Sequence, residues 1–186
     1  MTQKVLDGMG GHQGSRSTTD EWLTPPEIVR HLGAFDLDPA ATCDAAHGKK
    51  TMVLAAKSYC KCDDGLRQQW KGRIFCNPPY GKETGKWLER LARHGNGIAL
   101  IFARTDVGYF HDAVFRTAHA LLFVKNRITF LRADGTKPKW NGGAPSVLVA
   151  YGEENAVAMG KLALPGFFLR LRLQGLTTGG PTGSPV

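Results

Sequence analysis

The sequence predicts an α/β domain built on a mainly parallel sheet, and three observations predict it. Residues 73–76 read as a buried strand and 98–103 as a continuous apolar one, the type found inside a parallel sheet. A segment of helical periodicity lies between them, so strand, helix and strand alternate at the spacing of parallel-sheet units. The 186 residues, 42% hydrophobic and 22% charged, suffice for one sizeable core.

Each element can be justified in turn. Residues 1–20 are rich in Gly, Ser, Thr and Gln and read as a flexible tail; residues 175–186 read the same way, leaving 21–174 as the folded domain. Thr24-Pro25-Pro26-Glu27 predicts a helix start, with Thr24 as cap, Pro25 at the first helical position and Glu27 completing a capping box; Gly33 ends that helix. Residues 35–38 form a short strand turning at Pro39. Residues 40–65 carry no clear period. The strand at 73–76 stops at Asn77-Pro78-Pro79. Residues 83–94 form a helix with Trp87, Leu88, Leu91 and Ala92 on one face, closed by Gly95. A buried strand follows at 98–103. Phe110, Ala113 and Val114 predict a further helix, and 118–124 and 146–151 further strands. Residues 128–131 are expected to extend the sheet, and the apolar segment 162–173 fits either helix or strand.

Composition narrows the function classes. The formal charge of +8 favours polyanionic partners. No apolar run reaches transmembrane length and no signal peptide is evident, so a reducing cytoplasm is the expected setting and no membrane partner is expected. Of the four cysteines, Cys60 and Cys62 are separated by one residue, whereas structural zinc sites usually open with two to four. Together with Cys43 and Cys76 they read as ordinary thiols, with no metal. His111 and His119 show no pairing with carboxylates or thiols and read as structural.

The chemistry-bearing motif is Asn77-Pro78-Pro79-Tyr80. An amino group on an aromatic ring is a poor nucleophile because its lone pair is delocalised. Two acceptors that hold both N–H bonds would make the nitrogen more tetrahedral and turn its lone pair toward a methyl donor. The Asn77 side-chain oxygen and the Pro78 carbonyl supply such acceptors, and two prolines fix them in place. Tyr80 offers a flat face for an extruded base. In parallel sheets ligands bind beyond the carboxyl ends of strands, so this turn and the Asp38-Pro39 turn are expected to face one crevice.

Further along, the sequence resembles the phage-type DNA N6-adenine methyltransferases, a family related to the Dam enzymes. The resemblance runs from about His12 to Tyr151 through Asp20-Glu21-Trp22-Leu23-Thr24-Pro25-Pro26-Glu27, Phe35-Asp36-Leu37-Asp38-Pro39-Ala40-Ala41, Asp64-Gly65-Leu66 with Trp70, and Phe75-Cys76-Asn77-Pro78-Pro79-Tyr80 with Trp87. It continues in Ala103-Arg104-Thr105, Phe110-His111, Asn126-Arg127-Ile128-Thr129-Phe130 and Gly143-Ala144-Pro145-Ser146. It implies a Rossmann-like S-adenosylmethionine-dependent methyltransferase fold, S-adenosylmethionine as cofactor and DNA as substrate. It also implies that Trp22, Thr24 and Pro25 close over the methionine end of the cofactor, that Asp38-Pro39-Ala40 lies near the cofactor's cationic amine, and that Asp64 accepts a hydrogen bond from its adenine amino group. The sequence departs from the pattern after Ala40, where Thr42, Cys43 and Asp44 stand in place of glycines. Asp44 is a weak candidate for the ribose.

Nucleic-acid contacts are expected from Arg104 at the crevice edge and from Lys125, Arg127, Arg132, Lys137 and Lys139, which surround Phe130 and Trp140. Two alternatives stay open at this point. The same tetrapeptide serves methylation of RNA amino groups and protein glutamine amides, and a DNA-binding module without catalysis would also carry the basic loop.

Overall fold

The computed structural model describes residues 22–43, 53, 55–132, 134–138 and 143–171. The expected tails, Asp44, Lys139 and Trp140 lie outside them. The described residues form a mixed α/β fold on one seven-stranded sheet. In chain order the elements are α1 (Pro26–Val29), β1 (Phe35–Asp38), β2 (Ala55–Ser58), β3 (Ile74–Cys76), α2 (Thr84–His94), β4 (Gly97–Phe102) and α3 (Gly108–Phe110), the last running into a π-helical turn, His111–Phe115. Then come β5 (Ala120–Val124), β6 (Ser146–Tyr151), α4 (Glu153–Gly160) and β7 (Gly166–Arg170).

The strand order is β2-β1-β3-β4-β6-β5-β7. The first four strands pair in parallel, and the remaining three pairings are antiparallel. The expectation of a mainly parallel sheet therefore holds for the core strands and needs correction at the β6–β7 end. There β6 inserts between β4 and β5 against their direction, so the sheet as a whole is mixed. β1 is the switch point: the chain leaves it toward β2 on one side and returns to β3 on the other, and open α/β sheets bind ligands beyond the carboxyl ends of strands at such a point.

Burial explains the runs seen in the sequence. β3 is buried along its whole length, and so is β6. One face of the sheet carries Trp70, Trp87, Leu88, Leu91, Phe110 and Val114; the other carries Ile28, Val29, Leu32, Ile128, Phe130, Ala156 and Met159. α2 turns its Trp87, Leu88 and Leu91 stripe inward and ends at Gly95, whose φ of 75° is the left-handed cap the sequence predicts. Gly97 is required where β4 meets β3, since a Cβ there would lie 2.5 Å from the Ile74 carbonyl oxygen.

Several expectations are corrected. Pro26, not Pro25, takes the first helical position of α1, and no side chain caps it. The Thr24 hydroxyl is engaged elsewhere. Residues 128–131 do not extend the sheet; Ile128, Phe130 and Leu131 are buried, and only Leu131 forms a bridge, with Leu23. The ambiguous segment after residue 162 contains a strand, β7. β2 and α4 have no counterpart in the sequence reading.

At the end of the sheet opposite the crevice, Arg73 ties three elements together. It donates to the carbonyls of Leu32 (2.7 Å) and Ala34 (2.9 Å) and to the Asn155 side chain (2.7 Å). Its guanidinium also lies over the Phe35 ring at 4.3 Å. Arg73→Ala is expected to lower the unfolding free energy by about 2–3 kcal/mol, since hydrogen bonds from a charged donor are lost and Asn155 is left short of a partner. Urea titration should show a lower midpoint at unchanged slope. Arg73→Lys should recover only part, because a single ammonium cannot span the three acceptors.

Candidate active site

β1, β3 and β4 lie side by side and parallel, so their carboxyl ends share one edge. From that edge emerge Asp38-Pro39-Ala40, Asn77-Pro78-Pro79-Tyr80 and Ala103-Arg104, so the Asp38 and Asn77 turns leave the sheet on the same side. β3 is wholly buried, so Asn77 is the first residue at which the chain reaches polar surroundings.

The turn after β3 is held at both ends. The Thr84 hydroxyl, at the start of α2, donates to the Pro79 carbonyl (2.8 Å) and accepts from the Gly81 N–H (3.1 Å). Pro78 is buried and Pro79 exposed. Among the described residues no donor reaches the Pro78 carbonyl, which leaves it able to accept. The Asn77 carboxamide is oriented from two sides. Its Nδ2 donates to the Thr24 hydroxyl (3.2 Å), and its Oδ1 accepts from the Tyr80 hydroxyl (2.9 Å). Burial pushes the Tyr80 phenol well above its usual range, with smaller contributions from Cys76 and Tyr109, so it stays a donor. An amide oxygen has two lone pairs, and Tyr80 takes one.

Tyr80 is placed differently from the simple stacking platform the sequence implies. Its ring is stacked on Phe102 at 4.0 Å between centroids and stands edge-on to Phe130 at 5.9 Å. One face is thus covered, and the residue acts as a brace for Asn77. Thr84, Phe102 and the Thr24–Asn77 contact were missed by sequence reasoning. The only signal for Thr84 is its place three residues beyond Gly81.

Asp38 is 6% exposed. Its Oδ1 accepts from the Ala40 N–H (3.1 Å), the local turn that Pro39 allows. Burial raises its pKa to about 7, only partly opposed by that hydrogen bond. No cation among the described residues balances it. The structure brings Thr24 beside Asn77, and the Leu23–Leu131 bridge fastens the residue that precedes it; Thr24 and Pro25 are buried and Trp22 half-buried.

Asp64 lies in the turn beyond β2 with φ of 51°, exposed, and paired with Arg67 at 3.2 Å. That turn is seated against the β1 exit: a Cβ on Gly65 would lie 2.0 Å from the Pro39 oxygen. Trp70 Nε1 donates to the Gly65 carbonyl (2.8 Å), and Arg90 donates to the Leu66 and Gln68 carbonyls. Asp64 and Asp38 therefore stand at neighbouring exits of one edge.

Arg104 is half-buried near Tyr109, where its charge opposes part of the upward push that burial gives the phenol. Lys125, Arg127 and Lys137 are exposed, and Arg127 donates to the Gly143 carbonyl (2.9 Å). Phe130, expected among stacking groups, is a core residue at 5% exposure. The basic loop thus offers charges without that ring. His111 faces the Thr105 carbonyl (2.9 Å) and His119 Nδ1 accepts from the Gly152 N–H (3.1 Å). No helix among the described residues is long and apolar enough to cross a membrane.

A family model described as DNA N-6-adenine-methyltransferase (Dam) matches residues 12–160. No curated protein and no solved structure gives a match. The matched span covers about four-fifths of the chain and includes every strand exit at the crevice edge. The chain belongs to the DNA N-6-adenine-methyltransferase (Dam) family.

Proposed function

We propose that the chain methylates, at specific sites, the N6 amino group of an adenine turned out of double-stranded DNA, with S-adenosylmethionine as methyl donor. The observation that carries this reading is the Asn77 carboxamide, clamped by Thr24 and Tyr80 beside a Pro78 carbonyl that no donor among the described residues reaches. Family membership supplies the substrate class, adenine in DNA.

The residues at the edge fit the donor. Asp38 is a buried acid with no balancing cation among the described residues, which is the environment that favours a cationic amine. Asp64 at the next exit is exposed and able to accept from an adenine amino group, and Trp22, Thr24 and Pro25 would close over the methionine end, with Thr24 bound to the Asn77 carboxamide. S-adenosylmethionine, when bound, supplies a methyl group already activated by its sulfonium charge. The work left to the chain is orientation. Asn77 Oδ1 and the Pro78 carbonyl accept the two N6 hydrogens, which draws the nitrogen lone pair out of conjugation. Because Thr24, Tyr80, Thr84 and two prolines fix those acceptors, little reorganisation is needed. Arg104, Lys125, Arg127, Lys137 and Lys139 contact phosphates and hold the duplex while the base is out of the stack.

Asn77→Ala should abolish methyl transfer to DNA while leaving cofactor binding largely intact; wild-type rates in that variant would refute the assignment. Tyr80→Phe keeps the ring on Phe102 but removes one neutral hydrogen bond, so kcat should fall about three- to tenfold, with Tyr80→Ala far worse. Steady-state methylation of DNA by the pair separates bracing from packing.

Asp38 gives a pH dependence with a definite sign. Between its unfolded value of 3.8 and about 7, the ligand-free folded chain binds a proton there that the unfolded chain does not. Its contribution to stability therefore falls as pH rises through that window. Binding a cation needs the ionised carboxylate, so S-adenosylmethionine affinity should drop by up to about tenfold per unit below pH 7. Calorimetric titrations from about pH 5.5 to about pH 8 test this, and affinity that ignores pH would remove Asp38 from the site.

A further inference from the structure

Cys43, Cys60 and Cys62 converge although they come from two segments separated by more than fifteen residues. Their sulfurs all lie within 4.8 Å of one another; Cys43 is 3.0 Å from Cys60 and 3.6 Å from Cys62. None is in a disulfide. Three thiolates around a zinc ion at about 2.3 Å stand roughly 3.8 Å apart by tetrahedral geometry; the Cys43–Cys62 separation of 3.6 Å lies close to that spacing and the Cys43–Cys60 separation of 3.0 Å below it. A disulfide would instead need about 2.05 Å. The one-residue spacing of Cys60 and Cys62 argues against zinc only if both ligands must come from a single knuckle. Here the turn beginning at Cys60 sets them side by side, its first N–H held by Asp63 Oδ2 (2.9 Å), and the third sulfur arrives from the loop after β1.

We propose that Cys43, Cys60 and Cys62 bind one zinc ion through their thiolates, with water in the fourth position. Binding releases the thiol protons to solvent and leaves a centre with one net negative charge, which this basic chain accommodates. The ion joins the loop that follows Asp38 to the turn that carries Asp64. Those segments already touch through Ala41 N–H to the Tyr59 carbonyl (2.9 Å) and through Gly65 against Pro39. The centre is structural: it sets the distance between the two strand exits without entering methyl transfer. This assignment stands whether or not the proposed roles of Asp38 and Asp64 hold.

The full chain, purified under reducing conditions without chelator, should contain about one zinc per molecule by plasma mass spectrometry. Cobalt added to chelator-stripped protein should give a thiolate charge-transfer band and tetrahedral visible bands. Exposed Cys62 allows a mild variant, Cys62→Ser, which should lower zinc content by about tenfold or more while the circular dichroism spectrum stays unchanged. Wild-type alkylation needs no variant: zinc should protect Cys43 and Cys62, with buried Cys76 unlabelled in both states. Two results would each overturn the site: no zinc with equal alkylation in its presence and absence, or a Cys43–Cys60 disulfide in protein kept reduced.

Discussion

A three-residue strand with no exposed surface, Ile74–Cys76, decides where the Asn77 turn leaves the sheet. Its neighbours β1 and β4 pair with it in parallel, so all three must release their chains at the same edge, and the first polar side chain after β3 is Asn77. The prolines that follow cannot continue a strand or donate to one, so the backbone turns at once. What remains adjustable is the rotation of one carboxamide, and Thr24 and Tyr80 take that freedom away. The placement of the Asn77 carboxamide thus rests on a packing constraint first and on polar contacts second.

The two faces of the sheet contribute unequally to that edge. On one face Trp70, Trp87 and Arg90 hold the turn that carries Asp64, with the guanidinium 4.9 Å from the Trp70 ring centroid. On the other, Phe102 and Phe130 confine Tyr80. The Asp64 turn and the Tyr80 ring are therefore held by different clusters of the core, which the sheet separates.

Much of this was legible in the sequence. The buried strands, the helix ending at Gly95 and the polar turn at Asn77 follow from burial and backbone rules that act within a few residues. The elements that escaped have physical reasons. β2 sits at the edge of the sheet with two of its four residues exposed, so it has no apolar signature. α4 mixes Glu, Asn and small residues around its circumference and shows no stripe to read. Thr24 looked like a helix cap because capping is local, but its partner lies 53 residues away. Phe130 looked available for stacking because neighbouring charges mark a surface, yet its own side chain turns inward. Convergence of three cysteines from separate loops is likewise a product of topology that spacing rules do not reach.

The short bridge between Leu23 and Leu131 has a mechanical consequence. Two main-chain hydrogen bonds, of 2.9 and 3.0 Å, fasten the strand of residues preceding α1 to the end of the positively charged segment. Thr24 is the next residue along. Displacement of Leu131 is therefore relayed to the Asn77 carboxamide through the two bridge hydrogen bonds, the covalent step from Leu23 to Thr24 and the Thr24–Asn77 hydrogen bond, without passing through the sheet.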